Sequence, residues 1–118
     1  MKKHQTWILL LIFNLSIAAQ QYTNPVIRGF NPDPAICRVG EDYYLVTSSF
    51  EYAPGIPIYH SRDLVNWKLI GHVLNRKSQI DFEGYKASEG VYAPTISYHN
   101  GIFYVVVSIV KNPPPPKI

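Results

Sequence analysis

Asp33 is the residue whose type and surroundings best suit chemistry. It lies between two prolines in Asn31-Pro32-Asp33-Pro34, directly before an apolar run. Each proline fixes its own φ, and Pro34 disfavours the helical region for Asp33, so the sequence predicts extended backbone there. A carboxylate held in a stiff corner at the start of a strand can act as a general base. The alternative is a turn aspartate that bonds its own backbone, because Asp beside Pro is common in turns.

Few other side chains have a spacing that suggests catalysis. Glu83 and Glu89 lie in or beside a long polar connection and could reach a pocket rim, but we expect solvated loop carboxylates. Asp63 is expected to form a turn. Cys37 is the only cysteine, which excludes an intrachain disulfide, and its apolar surroundings indicate a small core residue. The histidines and this cysteine show no zinc-ligand spacing, so neither a metal site nor a cofactor is predicted.

Residues 1–19 have the three parts of a secretory signal peptide. Lys2 and Lys3 form a basic start, residues 7–17 are mostly apolar, and Ala18 and Ala19 are small residues suited to cleavage. The apolar run is shorter than the roughly 20 residues that span a bilayer, so no stable membrane span is predicted after cleavage. We expect a secreted or periplasmic protein; the alternative is an uncleaved membrane anchor.

The charge of the chain indicates no nucleic-acid partner. The chain has 11 basic and 8 acidic residues. Removal of Lys2 and Lys3 with the signal peptide leaves nine basic residues against eight acidic ones, a net charge of about +1 with neutral histidines. The basic residues are scattered, whereas nucleic-acid-binding surfaces cluster them on one face.

The elements that must position Asp33 are short β-strands separated by turn signals. Aromatic and β-branched stretches predict four antiparallel strands, at residues 35–39, 43–48, 56–60 and 64–73. Pro57 in the third strand suggests an edge or irregular position. Four such strands in close succession are typical of one blade of a β-propeller.

The pattern restarts after a polar connection at residues 75–90. Residues 91–98 and 102–110 are predicted strands, joined by the hairpin signal Asn100-Gly101. Helical periodicity is absent outside the signal segment, so the sequence predicts an all-β fold with one blade and about half of a second, over residues 20–110. Residues 111–118 contain four successive prolines, which lack the donors that a sheet needs; we expect the Pro-rich, ragged end of a truncated chain.

Four segments in order, residues 24–34, 42–52, 60–67 and 90–94, carry a family resemblance. They resemble the opening of glycoside hydrolase family 43, the β-xylosidase and α-L-arabinofuranosidase group. The resemblance implies a five-bladed β-propeller with the sugar pocket on its axis, and hydrolysis with inversion at the anomeric carbon. It also implies that Asp33 is the general base.

The resemblance implies substrate-binding roles for two aromatic residues. Phe50 matches a position that packs against the sugar; its alternative role is a core aromatic that anchors a loop. Tyr92 stands where family members usually carry tryptophan in a Trp-Ala-Pro motif. A tyrosine can still stack on a sugar and adds a hydroxyl, so the departure bears on the substrate subsite.

The resemblance also implies that part of the catalytic machinery lies beyond residue 118. An aspartate that tunes the acid's pKa and the general-acid glutamate belong to later blades, so we expect the 118-residue chain to be inactive by itself. Its partner in the complete enzyme would be a xylo- or arabino-oligosaccharide from hemicellulose. The alternatives are a non-catalytic carbohydrate-binding or interaction module and an unfolded translation product. Residues from the absent blades would decide between xylose and arabinofuranose.

Overall fold

The computed structural model describes residues 21–111, and these form an all-β structure of six antiparallel strands. The predicted signal peptide and residues 112–118 of the predicted Pro-rich end lie outside the described residues. No helix within residues 21–111 is long and apolar enough to cross a membrane. The strands are β1 (Ala35–Val39), β2 (Asp42–Val46), β3 (Gly55–Ser61), β4 (Lys68–Leu74), β5 (Gly90–His99) and β6 (Ile102–Val110).

The strands form two sheets whose order follows the chain. The first four make an antiparallel meander in the order β1-β2-β3-β4, and β5 and β6 make a hairpin. The turn between β5 and β6 is Asn100-Gly101, with φ values of 48° and 84°. Both central residues of a type I′ hairpin turn need positive φ, which Asn and Gly adopt with little strain. The predicted four-stranded unit and the second hairpin are therefore confirmed.

The predicted fourth strand was too long at its start, because a turn occupies residues 62–67. Asp63 Oδ1 accepts hydrogen bonds from the backbone N–H groups of Val65 and Asn66 at 2.9 and 2.7 Å. The indole of Trp67 donates to the carbonyl of Leu64 at 2.9 Å. These local bonds compete with sheet pairing, so β4 begins only at Lys68.

Pro57 lies in an interior strand, so the suggestion of an edge position was wrong and that of an irregular one was right. β3 pairs with β2 on one side and with β4 on the other. Pro57 is opposite His72, and the register with β4 shifts between Ile58 and Tyr59. A bulge lets a sheet accept a proline that cannot donate to the ladder.

The core lies where the two sheets meet. Its buried side chains are Val46 from β2, Ile56 from β3, and Val91 and Ile96 from β5. Cys37 is half-buried and packs against this cluster, consistent with the predicted small core residue. β1 also contacts β5, so the first strand of the meander lies beside the first strand of the hairpin.

Candidate active site

Asp33 lies two residues before β1, at the end of the meander nearest to β5, and is exposed. Its φ is 50°, in the left-handed region, so the predicted extended backbone was wrong. Asp tolerates this region better than most residues. Ser48, 15 residues away in the chain, stabilises this conformation with two hydrogen bonds. Its N–H donates to the carbonyl of Pro32 at 2.9 Å, and its hydroxyl donates to Asp33 Oδ2 at 2.7 Å.

Ser48 joins Asp33 to the second sheet. Its Oγ also accepts a hydrogen bond from the N–H of Ala93 at 2.6 Å, and the residue is only 1% exposed. Residues 47–48 were predicted to extend the second strand, but β2 ends at Val46. Ser48 bonds instead to Pro32, before β1, and to Ala93, within β5. The carboxylate is thus held by a buried side chain that bonds to both the meander and the β5-β6 hairpin.

Phe50 and Tyr92, the two predicted sugar-binding aromatics, are in direct contact. Their ring centroids are 4.6 Å apart at an interplanar angle of 75°, an edge-to-face pair, and both residues are half-buried. The Tyr92 hydroxyl donates to the carbonyl of Ser88. That bond orients the ring and occupies the phenol's only proton, so the hydroxyl oxygen of Tyr92 is left as a hydrogen-bond acceptor.

A backbone bridge joins the segments that carry the two aromatic residues. The N–H of Phe50 donates to the carbonyl of Val91, and the N–H of Val91 donates to the carbonyl of Phe50, both at 3.0 Å. Gly90, with φ 97°, allows this approach, since a Cβ at that position would lie 2.2 Å from the carbonyl oxygen of Phe50. Two short segments, 48–50 and 91–93, therefore lie side by side with Phe50 and Tyr92 in contact, and Ser48 of the first segment bonds to Asp33.

Three of these residues have strained backbone. Asp33, Phe50 and Ala93 have φ values of 50°, 47° and 39°. Such conformations are uncommon for residues other than glycine and cluster at functional sites. Hydrogen bonds between the segments hold all three, which is the arrangement expected of a preorganised site.

The other candidate carboxylates divide between solvent and core. Glu83 is exposed, as predicted. Glu89 is 1% exposed, so the prediction of a solvated carboxylate was wrong; one of its oxygens accepts a hydrogen bond from the Lys86 N–H at 2.9 Å. Asp63 forms the predicted turn, and bonds from Asn66 and Val65 hold the pKa of this exposed carboxyl well below its ordinary value.

Sequence reasoning missed the roles of Ser48, Gly90 and an ion-pair cluster. Near the end of β3, His60 Nε2 lies 2.7 Å from Asp42 Oδ1, and Arg62 Nε lies 3.0 Å from the same oxygen. The bonds from His60 and then Arg62 lower the pKa of Asp42. The available signal was a polar Thr-Ser-Ser run at the end of a strand and a glycine before Val91, which is too common a pattern to identify a site.

The described residues form two clefts of interest and offer ligands that can be checked for a metal site. An open cleft of about 390 Å³ borders Phe30, Ser48 and Tyr52, and Ser48 is the hydrogen-bond partner of Asp33. A larger cleft, of about 730 Å³, lies along residues 74–83 and has Glu83 on its lining, but neither cleft is lined by Asp33, Phe50 or Tyr92. Within residues 21–111, no group of three His, Cys, Asp or Glu side chains could hold a metal ion.

Comparison with known proteins identifies the family. The model of glycosyl hydrolases family 43 matches residues 22–114. The chain belongs to this family. It is 54% identical over 112 residues to the non-reducing end alpha-L-arabinofuranosidase of Bacteroides ovatus, a match that covers 90% of the chain and 21% of the relative. It is 56% identical over 89 residues to a beta-xylosidase of Bacillus subtilis, covering 75% of the chain and 17% of the relative.

Solved structures of family 43 proteins agree with this membership. The xylan beta-1,4-xylosidase of Bacillus halodurans matches with a TM-score of 0.75 at 49% identity, over 78% of the chain and 18% of that structure. A Bacteroides ovatus family 43 protein matches with a TM-score of 0.73 at 58% identity, over 76% of the chain and 18% of that structure. The chain spans only about a fifth of the length of these relatives. The family is therefore shown for the chain, and the activity of the longer relatives is not thereby shown for it.

Proposed function

We propose that residues 20–110 are the N-terminal part of a five-bladed β-propeller glycosidase that cleaves xylosidic or arabinofuranosidic bonds with inversion. The four-stranded meander is its first blade, and β5 with β6 begins the second. The sugar class comes from the printed names of the relatives, which include both a beta-xylosidase and an alpha-L-arabinofuranosidase.

The position of Asp33 carries the proposal. Its carboxylate is exposed at the start of β1, Ser48 holds one of its oxygens, and the segments that follow Ser48 carry the Phe50–Tyr92 ring pair. A general base needs this combination of access to water and a fixed direction. The adjacent rings can pack against the apolar face of a sugar and orient its anomeric carbon.

In the proposed mechanism, Asp33 takes a proton from water while the water oxygen bonds to the anomeric carbon. The bond to the leaving oxygen breaks on the opposite face of the sugar, and a protonated carboxylic acid supplies that oxygen with its proton. The two carboxyl groups of an inverting glycosidase stand about 6.5–9.5 Å apart to admit the water. We place the acid and the carboxylate that tunes it beyond residue 118, so the 118-residue chain holds half of the mechanism.

The proposal includes export. Residues 1–19 would direct the chain to the periplasm or the exterior, where xylo- and arabino-oligosaccharides are met, and would then be removed. Mass spectrometry of the protein recovered outside the cytoplasm tests this. A mature N-terminus at or next to residue 20 is expected, and an intact Met1 would contradict it.

A segment exchange tests the proposed activity. Residues 22–110 replace the matching segment of the Bacillus subtilis beta-xylosidase, and the Bacteroides ovatus arabinofuranosidase serves as a second host. We expect both chimeras to hydrolyse aryl glycosides, with the first-formed sugar, observed by NMR, carrying the inverted anomeric configuration. Folded chimeras that are inactive, or that release the retained anomer, would overturn the proposal.

The 118-residue chain provides the complementary test. We expect no turnover of aryl xylosides or arabinosides, because general acid catalysis alone supplies about 10²–10⁴-fold. If the 118-residue chain did turn these substrates over, and Asp33→Asn abolished that turnover, the chain would not need a general acid from beyond residue 118. Calorimetric binding of xylo-oligosaccharides without turnover, together with inactive chimeras, would instead favour a carbohydrate-binding module.

A further inference from the structure

The hydroxyl group of Ser48 has two hydrogen-bond partners and almost no contact with solvent. It lies 2.7 Å from Asp33 Oδ2 and 2.6 Å from the backbone nitrogen of Ala93, and the residue is 1% exposed. Serine hydroxyls usually rotate to suit their surroundings, because they carry one proton and two lone pairs. Here the two partners remove that freedom.

The two contacts fix the direction of the hydroxyl proton. The N–H of Ala93 can only donate, so it takes a lone pair of Ser48 Oγ. The carboxylate of Asp33 can only accept when ionised, so the single proton of Oγ points at Oδ2. No hydrogen bond from the described part of the chain reaches the other oxygen of Asp33, which leaves Oδ1 for a water molecule.

Ser48 also links two strained positions that lie far apart in sequence. Its N–H holds Pro32, next to Asp33, whose φ is 50°; its Oγ holds the N–H of Ala93, whose φ is 39°. Ala93 directly follows Tyr92, one of the two rings proposed to bind the sugar. One buried side chain therefore sets the distance between the proposed base and the proposed sugar-binding ring.

We propose that Ser48 is the positioning residue of the general base: it holds Asp33 Oδ2, presents Oδ1 to the attacking water, and fixes the position of Asp33 relative to Tyr92. The inference rests on the proposed function of Asp33. The hydroxyl does not touch the reacting atoms, so its loss would misplace the base while leaving the rings in contact with each other. Misplacement by about 1 Å can cost about 10²-fold in rate.

Kinetics of the Bacillus subtilis chimera test the inference. In Ser48→Ala we expect kcat to fall about 10²-fold while KM stays within about twofold, since the interaction acts on the transition state more than on ground-state binding. Ser48→Thr keeps a hydroxyl and should recover most of kcat. The matched control is Ser49→Ala: Ser49 is 7% exposed and its Oγ accepts the N–H of Ile56 at 3.1 Å, without contact to Asp33.

The outcomes separate the two claims. If Asp33→Asn leaves the chimera active, the proposed function fails. If Asp33→Asn inactivates it but Ser48→Ala leaves kcat unchanged, or lowers it no more than Ser49→Ala does, the positioning role fails alone. A loss that Ser48→Thr does not recover, or that appears in KM instead of kcat, also contradicts the role.

A structural readout on the 118-residue chain needs no activity. NMR coupling constants across χ1 of Asp33 should report one rotamer in the natural chain and in Ser49→Ala, and averaging in Ser48→Ala. Averaging in the natural chain would contradict the claim that Ser48 holds the carboxylate.

Discussion

Replacement of Gly90 by alanine tests how the four-stranded meander and the β5-β6 hairpin are joined. A Cβ at this position would lie 2.2 Å from the carbonyl oxygen and 2.6 Å from the carbonyl carbon of Phe50. Favourable contacts between carbon and a carbonyl oxygen occur at about 3.3–3.6 Å, so the strands must separate by about 1 Å. Both colliding atoms belong to backbone, and no rotation of a flexible side chain can relieve them.

The size of the effect follows from the bonds that this separation would break. Three backbone hydrogen bonds join the segments: Ser49 N–H to the Val91 carbonyl at 3.3 Å, and the reciprocal pair between Phe50 and Val91 at 3.0 Å. At about 0.5–1.5 kcal/mol each, their loss would cost about 1.5–4.5 kcal/mol. The φ of 97° adds a strain of about 1–2 kcal/mol for any residue with a Cβ.

Urea denaturation followed by circular dichroism measures this, with Gly101→Ala as the matched control. Gly101 also has positive φ, 84°, but nothing lies within 4 Å of its hypothetical Cβ, so its replacement carries the strain without the collision. We expect Gly90→Ala to lower the free energy of unfolding by about 1.5–4.5 kcal/mol more than Gly101→Ala. Equal losses of unfolding free energy in the two variants would refute the claim that close backbone approach joins the meander to the hairpin.

Three further predictions concern the rest of the described fold. Ile96→Ala in the core should cost about 2–5 kcal/mol in urea denaturation, against less than about 1 kcal/mol for exposed Ile102→Ala; similar losses would place the core elsewhere. The pKa of Asp42 is lowered from 3.8, so its stabilisation is present above that pH and lost below it. Asp42→Asn should therefore be less stable at neutral pH, with the difference vanishing on acidification; a constant difference down to pH 2 would contradict this. β6 has no charged residue, and Val106 is 67% exposed. A strand edge without charges can pair with another copy of the chain, so Val106→Lys should reduce concentration-dependent association in sedimentation velocity. Unchanged association would exclude β6 as the contact between copies.

The strands were largely predictable from sequence because their signals are local. Alternating aromatic and β-branched residues, together with Asn100-Gly101, gave the number and order of the strands. Boundaries were missed where side chains bond to nearby backbone, as Asp63 does ahead of β4. That competition depends on the geometry of the turn, which residue types alone do not specify.

The assignment of Asp33, Phe50 and Tyr92 as site residues came from motifs and stays a prediction. The structure shows the Phe50 and Tyr92 rings in contact, and Ser48 bonds to both Asp33 and Ala93. Local rules misjudged the backbone of Asp33, because the bonds from Ser48, 15 residues away, outweigh the preference imposed by Pro34. The burial of Glu89 was missed for the same reason: it depends on packing between segments that lie far apart in the sequence.

The most direct test of the account is the activity of Asp33→Asn in the Bacillus subtilis chimera. Asparagine keeps the size of the side chain and an oxygen that can accept the Ser48 hydroxyl, but it cannot take a proton from water. We expect kcat to fall about 10²–10⁴-fold with the fold and melting temperature preserved. A folded variant that keeps the activity of its parent chimera would contradict the assignment of Asp33 as the general base.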